Sequence, residues 1–117
     1  MPLVLAYRDP GKVNEEFFSK LTSKLQGIVA EALSVPGTAG ELKLVEIEDW
    51  VRDAQPGDVN TLPLEIIIWA NYYPKRKKNL DERRARIVKE IKKLIPENLK
   101  ITGFVWVLLA PASFEEF

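Results

Sequence analysis

The sequence contains no cysteine and no histidine. Without cysteine there are no disulfides, no thiolate metal sites and no thiol nucleophile. Without histidine the commonest general base, the usual metal ligand and any Ser-His-Asp triad are gone. Neither sign of charge is in excess: 17 Lys and Arg balance 17 Asp and Glu, so no overall field favours nucleic acid or a membrane surface as a partner. No apolar run is long enough for a membrane-spanning helix. The first residues lack the basic segment and long apolar core of a secretory leader, so a cytoplasmic protein is expected. An enzyme built from this alphabet takes its proton chemistry from carboxylates, lysine, tyrosine, arginine or the terminal amine.

What is present begins at the second residue. Met1-Pro2 is followed at once by an apolar strand, Leu3-Val4-Leu5-Ala6-Tyr7. Proline is small enough to permit removal of the initiator methionine, which would leave Pro2 with a free secondary amine. An α-amino group titrates near ~7.7–8.0. Packing its charged form against apolar neighbours lowers that value, giving a base or nucleophile at neutral pH. Proline is also an ordinary second residue, so the case rests on the rest of the chain.

The chain's 117 residues suit one domain. Strand 1 covers residues 2–7. Asp9-Pro10 reads as an N-cap and first helical residue, opening a helix over 12–34. Val13, Phe17, Leu21, Leu25, Ile28 and Ala32 form its apolar stripe. Strand 2 is expected from Leu42 to Ile47, strand 3 from Leu64 to Tyr73, and strand 4 from Ile101 to Leu109. Asn79, with Glu82 three residues on, reads as a capping box for a second helix that Pro96 ends. The order strand–helix–strand occurs twice, over residues 2–50 and 64–110, joined by 51–63. Each crossover makes a parallel, right-handed pair. The expected fold is α+β: a four-stranded mixed sheet with both helices on one face. Strand 3 is too apolar to leave the other face wet, so self-association should cover it.

This layout, with proline second, resembles the tautomerase superfamily, which includes 4-oxalocrotonate tautomerase, macrophage migration inhibitory factor, malonate semialdehyde decarboxylase and the chloroacrylic acid dehalogenases. Gly11-Lys12 resembles the Gly-Arg turn of the short tautomerases, with lysine for arginine. Asn14-Glu15-Glu16 is similar to their polar helix start, and Val35-Pro36 to their helix end. After strand 3, Tyr73-Pro74-Lys75-Arg76 resembles the stretch where the decarboxylase and the cis-dehalogenase carry carboxylate-binding arginines. Arg76 matches the second arginine of the cis-dehalogenase, and Tyr73 falls on the first. Lys75 falls on the second arginine of the decarboxylase. Lysine offers a point charge where arginine offers a planar fork. The family's water-activating acid has no counterpart at matching spacing; Glu115 and Glu116 lie nearby in the tail.

The resemblance implies a homotrimer and a cofactor-independent proton shift on a small carboxylate-bearing substrate, a 2-oxo or 2-hydroxyalkenoic acid. Pro2 would be base and then acid. Arg76, with Lys75, Lys12 or Arg8, would hold the carboxylate. Tyr73 would donate to a carbonyl oxygen, and Trp106 with Phe104 would wall the pocket. No metal is needed. The alternatives are a decarboxylase or hydratase of the same superfamily, a catalytically silent tautomerase-fold protein, and a ferredoxin-like binding module. In the last, the basic stretch from Lys75 through Arg83, Arg84, Arg86, Lys89, Lys92 and Lys93 would face phosphate.

Overall fold

The computed structural model describes residues 2–111, 115 and 117 of the chain. Strand β1 (Leu3–Arg8) is one of the two central strands of a four-stranded sheet. Strand β2 (Glu48–Asp53) lies parallel to it on one side and β3 (Leu64–Asn71) antiparallel on the other. Strand β4 (Gly103–Ala110) lies parallel to β3 at the far edge. Helix α1 (Glu15–Leu33) joins β1 to β2. The short α2 (Pro74–Lys78) and the longer α3 (Leu80–Leu94) join β3 to β4. Strands joined by a helix are therefore direct neighbours. A ferredoxin-like arrangement would split each such pair with another strand, and the order β2-β1-β3-β4 excludes it.

Alternation along the strands divides the sheet into two faces. Val4 and Ala6 of β1 and Ile66 and Ile68 of β3 point to the helices, packing with Leu21, Leu25 and Val29 of α1 and Ile87 and Ile91 of α3. The opposite face is built in cross-strand rows. Trp50, Leu5, Ile67 and Trp106 form one row; Glu48, Leu3, Trp69 and Leu108 form the next. Trp50, Trp69, Trp106, Leu108 and Phe104 are all exposed there. A soluble protein rarely shows so large an apolar area unless something binds it.

Several elements start elsewhere than the sequence pattern indicates. Residues 42–47 are not a strand: Leu44–Glu46 form a single 3₁₀ turn, while Ile47 is buried in the core. The paired strand is the more polar Glu48–Asp53, which an edge position tolerates because its outer residues meet water. Asn14, not Asp9, caps α1, its side chain accepting from the Phe17 amide at 2.8 Å. Asp9 instead accepts from the Gly11 amide and the Thr61 hydroxyl, which ties it into a turn. Asn79 makes no capping bond; its side-chain oxygen accepts from Arg83 Nε at 2.7 Å. The basic loop expected before the second helix is the helix α2, opened by Pro74 in its first turn.

The C-terminus of α1 explains how the two halves lock. The last carbonyls of a helix have no partner within it, and α1 carries no basic residue in its last turn. Arginines of the second half supply the donors. Arg86 Nη1 donates to Glu31 O (3.2 Å), Arg83 Nη1 to Ala32 O (3.1 Å) and Ser34 O (2.9 Å), and Arg76 Nε to Leu33 O (2.8 Å). These cations also oppose the negative end of the helix dipole. Replacing Arg83 by methionine strands two carbonyls and is expected to lower stability by about 1–3 kcal/mol in urea denaturation. Arg83→Lys should recover only part of the loss, because one ammonium cannot reproduce the fork.

Candidate active site

Pro2 sits at the head of β1 and is fully buried. Its carbonyl accepts from the Glu48 amide at 3.1 Å, continuing the parallel pairing with β2. Continuing the antiparallel register places Pro2 opposite Ala70, the residue before the end of β3. Beyond that point the chain turns through Tyr72 and Tyr73 into α2. The Tyr72 amide donates to Ala110 O, so the end of β4 arrives at the same edge of the sheet.

Arg76 is carried back into this end by α2. It is 1% exposed, and three carbonyls take its guanidinium. Nε donates to Leu33 O (2.8 Å), Nη1 to Asn71 O (2.7 Å) and Nη2 to Gly40 O (3.1 Å). Asn71 lies one residue past Ala70, so the buried cation is anchored next to the Pro2 end of the sheet. The Tyr73 ring lies 5.0 Å from the guanidinium carbon, a cation–π contact. Burial, then the like charge of Arg83, pushes Arg76 below its usual range. An arginine starts so high that it remains a cation at neutral pH.

The expected substrate-holding group thus divides in three. Pro2, Tyr73 and Arg76 lie toward the same end of the sheet, with Lys75 exposed on the first turn of α2. Arg76 is occupied by backbone carbonyls and turned away from solvent, rather than open to a carboxylate. Arg8 and Lys12 lie beyond the other end of β1, about 20 Å from Pro2 at ~3.3 Å per residue. Arg8 is buried there. Its Nε and Nη2 donate to the two Asp53 oxygens at 2.9 and 2.8 Å, and Nη2 also meets Glu15 at 2.9 Å. Lys12 Nζ donates to Thr61 O at 2.8 Å. Trp106 stands mid-sheet on the open face opposite Ile67, its Nε1 donating to Glu65 at 3.0 Å; Phe104 is its neighbour, with ring centroids 6.4 Å apart. Neither wall residue reaches Pro2 of its own chain. Glu115 lies in the exposed tail, and Glu116 falls outside the described residues.

One acid near this end has no signal in the sequence pattern. Asp49 pairs with Val4 across β1 and β2 on the helix-facing side, the side that Pro2 shares. Its Oδ1 is buried without a hydrogen-bond donor among the described residues. Burial pushes its carboxyl above the ordinary aspartate value. The expected strand 2, Leu42–Ile47 running into Asp49-Trp50, names no partner for Asp49; its pairing with Val4 of β1 decides the face it takes.

A parallel βαβ pair, repeated once with the second pair antiparallel to the first, is the fold seen in solved structures of the tautomerase superfamily. No protein-family model matches the sequence, and no curated protein matches it. The likeness is one of shape. A malonate semialdehyde decarboxylase aligns over 97% of this chain and 91% of its own with a TM-score of 0.55 at 14% identity. A second, inhibited by 3-bromopropiolate, aligns over 97% and 89% with a TM-score of 0.57 at 10% identity. A macrophage migration inhibitory factor-like protein from Entamoeba histolytica aligns over 96% and 89% with a TM-score of 0.53 at 12% identity. No helix among the described residues is long and apolar enough to cross a membrane.

The Arg8–Asp53 pair gives a pH test at the end opposite Pro2. The hydrogen bonds from Arg8 hold the Asp53 carboxyl below its ordinary value, against a smaller effect of burial. A depressed carboxyl stabilises above the unfolded-state value of ~3.9 and loses that contribution as pH falls through its folded value. Asp53→Asn should therefore melt below the parent protein at pH 7. The gap should narrow steadily in thermal melts taken from about pH 4 downward.

Proposed function

We propose that removal of Met1 leaves Pro2 as an amino-terminal general base and acid in a tautomerase-type isomerase. The observation that supports this most is the burial of Pro2 at the end of the sheet where the guanidinium of Arg76 is anchored. A dry site and a cation at the same end of the sheet both disfavour the charged prolinium and so favour the neutral, basic amine. Neutral Pro2 takes a proton from the enol hydroxyl of a 2-hydroxyalkenoic acid, or from carbon beside the carbonyl of a 2-oxo acid. The prolinium then returns it at a neighbouring carbon. Arg76 acts here as a fixed positive charge behind the site, and Tyr73 as its partner at the wall.

The substrate carboxylate needs an accessible cation. Lys75 of the same chain fills that role. Lys12 and Arg8 are too distant within one chain, so they take part only when a neighbouring copy supplies them. A homotrimer packed through the tryptophan-rich face would also cover Leu3, Leu5, Trp69 and Trp106. Tautomerase, decarboxylase and hydratase chemistry all use the same amine. Two of the structural neighbours are malonate semialdehyde decarboxylases, so decarboxylation of a 3-oxo acid is the second reading.

Intact mass and turnover test this together. The mature protein should lack Met1. It should ketonise phenylenolpyruvate or 2-hydroxymuconate, and Pro2→Ala should lower kcat/KM about 100-fold or more. Release of CO2 from malonate semialdehyde without ketonisation would move the assignment to the decarboxylase. A retained Met1, or equal activity of parent and variant, would remove Pro2 from the mechanism and leave a binding protein on this fold.

A further inference from the structure

The second half contains an apolar cleft that the proposed chemistry does not use. It lies between α3 and β4, encloses about 260 Å³, and is lined by Leu64, Ile66, Val88, Ile91, Ile95, Ile101 and Val105. Leu64 pairs with Arg8 on one side and Gly103 on the other, so the cleft belongs to the end of the sheet opposite Pro2. Its rim carries Lys92 and Thr102.

Gly103 lets the backbones of β4 and β3 approach closely at one end of the cleft: a Cβ there would stand 2.1 Å from the Leu64 carbonyl oxygen, so no larger residue fits without moving the strand. Water gains little in such a space, because it finds few polar partners on aliphatic walls. An apolar ligand finds the opposite. The cleft is smaller than the ~300–1,000 Å³ usual for drug-sized ligands, which suits a short chain and not a large lipid. Lys92 sets the polarity of the mouth. Lys93 is paired with Glu90, but among the described residues Lys92 has no acidic partner within ion-pair distance.

We infer that this cleft is a second ligand site, for a small carboxylic acid whose aliphatic tail of about six to eight carbons enters between α3 and β4 while its carboxylate meets Lys92. The site is independent of Pro2 and of the isomerase reading.

Amide shift mapping and calorimetry on the full chain with butanoate, hexanoate, octanoate and octanol test this. Octanoate should shift the amides of Ile91, Ile95, Ile101 and Val105. Affinity should rise about fourfold per methylene along the acid series. Lys92→Met should weaken octanoate several-fold and leave octanol unchanged. Val105→Phe, or Val88→Phe if the first disturbs the fold, should abolish both. Pro2→Ala should change nothing. The idea fails if millimolar octanoate leaves those amides unmoved, or if a cleft-filling variant that folds binds as well as the parent. It fails equally if the shifts fall at the Pro2 end and vanish in Pro2→Ala. Undiminished octanoate binding by Lys92→Met would remove the carboxylate from the assignment.

Discussion

Everything at the candidate site depends on how the unfinished end of α1 is completed. A helix that ends in the interior leaves carbonyls which must find donors. Here Arg76, Arg83 and Arg86 reach across from the second βαβ unit and take the carbonyls of Glu31, Ala32, Leu33 and Ser34. The same contacts close the two halves over one core and set a cation beside the start of β1. Arg76 is the pivotal member. It binds both the end of α1 and, through Asn71, the end of β3, so the contact that joins the halves also ties the end of the sheet that holds Pro2.

The two ends of the sheet differ in character as a result. At the Pro2 end Arg76 is buried and bonded to three carbonyls, Asp49 is half-buried with one oxygen lacking a donor, and Lys75 and Glu48 stand exposed. At the other end Arg8 pairs with Asp53 and Glu15, and Lys12 pairs with Asp9, in two sets partly open to water. The open face between them is a third region, where tryptophans on three strands lie in register with leucine and isoleucine.

Much of the fold is legible in the residues. The stripe from Phe17 to Ala32 is helical at sight, with Val13 just before the helix, and the run expected as a strand from Leu64 to Tyr73 is one as far as Asn71. The doubled strand–helix–strand order fixes two parallel pairs. What escapes is register and partner choice. The apolar Leu42–Ile47 looks more like a strand than Glu48–Asp53 does, yet the latter pairs with β1. An edge strand needs only one bonded neighbour, and Ile47 is worth more in the core. Arg76 likewise sits in a basic run that reads as a solvated loop or a substrate clamp. Only its burial against Leu33 O and Gly40 O gives it a structural partner.

The sequence by itself determined the chemical alphabet: no thiol, no imidazole, and a proline that begins an apolar strand. It also determined the order of elements, since hydrophobic period and chain breakers are local properties. Tertiary structure alone decided which of the cations Arg8, Lys12, Lys75 and Arg76 stands near Pro2. That depends on strand direction: β1 carries Arg8 and Lys12 away from Pro2, while the antiparallel β3 returns the chain, and with it Tyr73 and Arg76, to the same end. Distance along a chain does not measure distance in a sheet, and hydrogen-bond register between strands sets the second from contacts that no local pattern encodes.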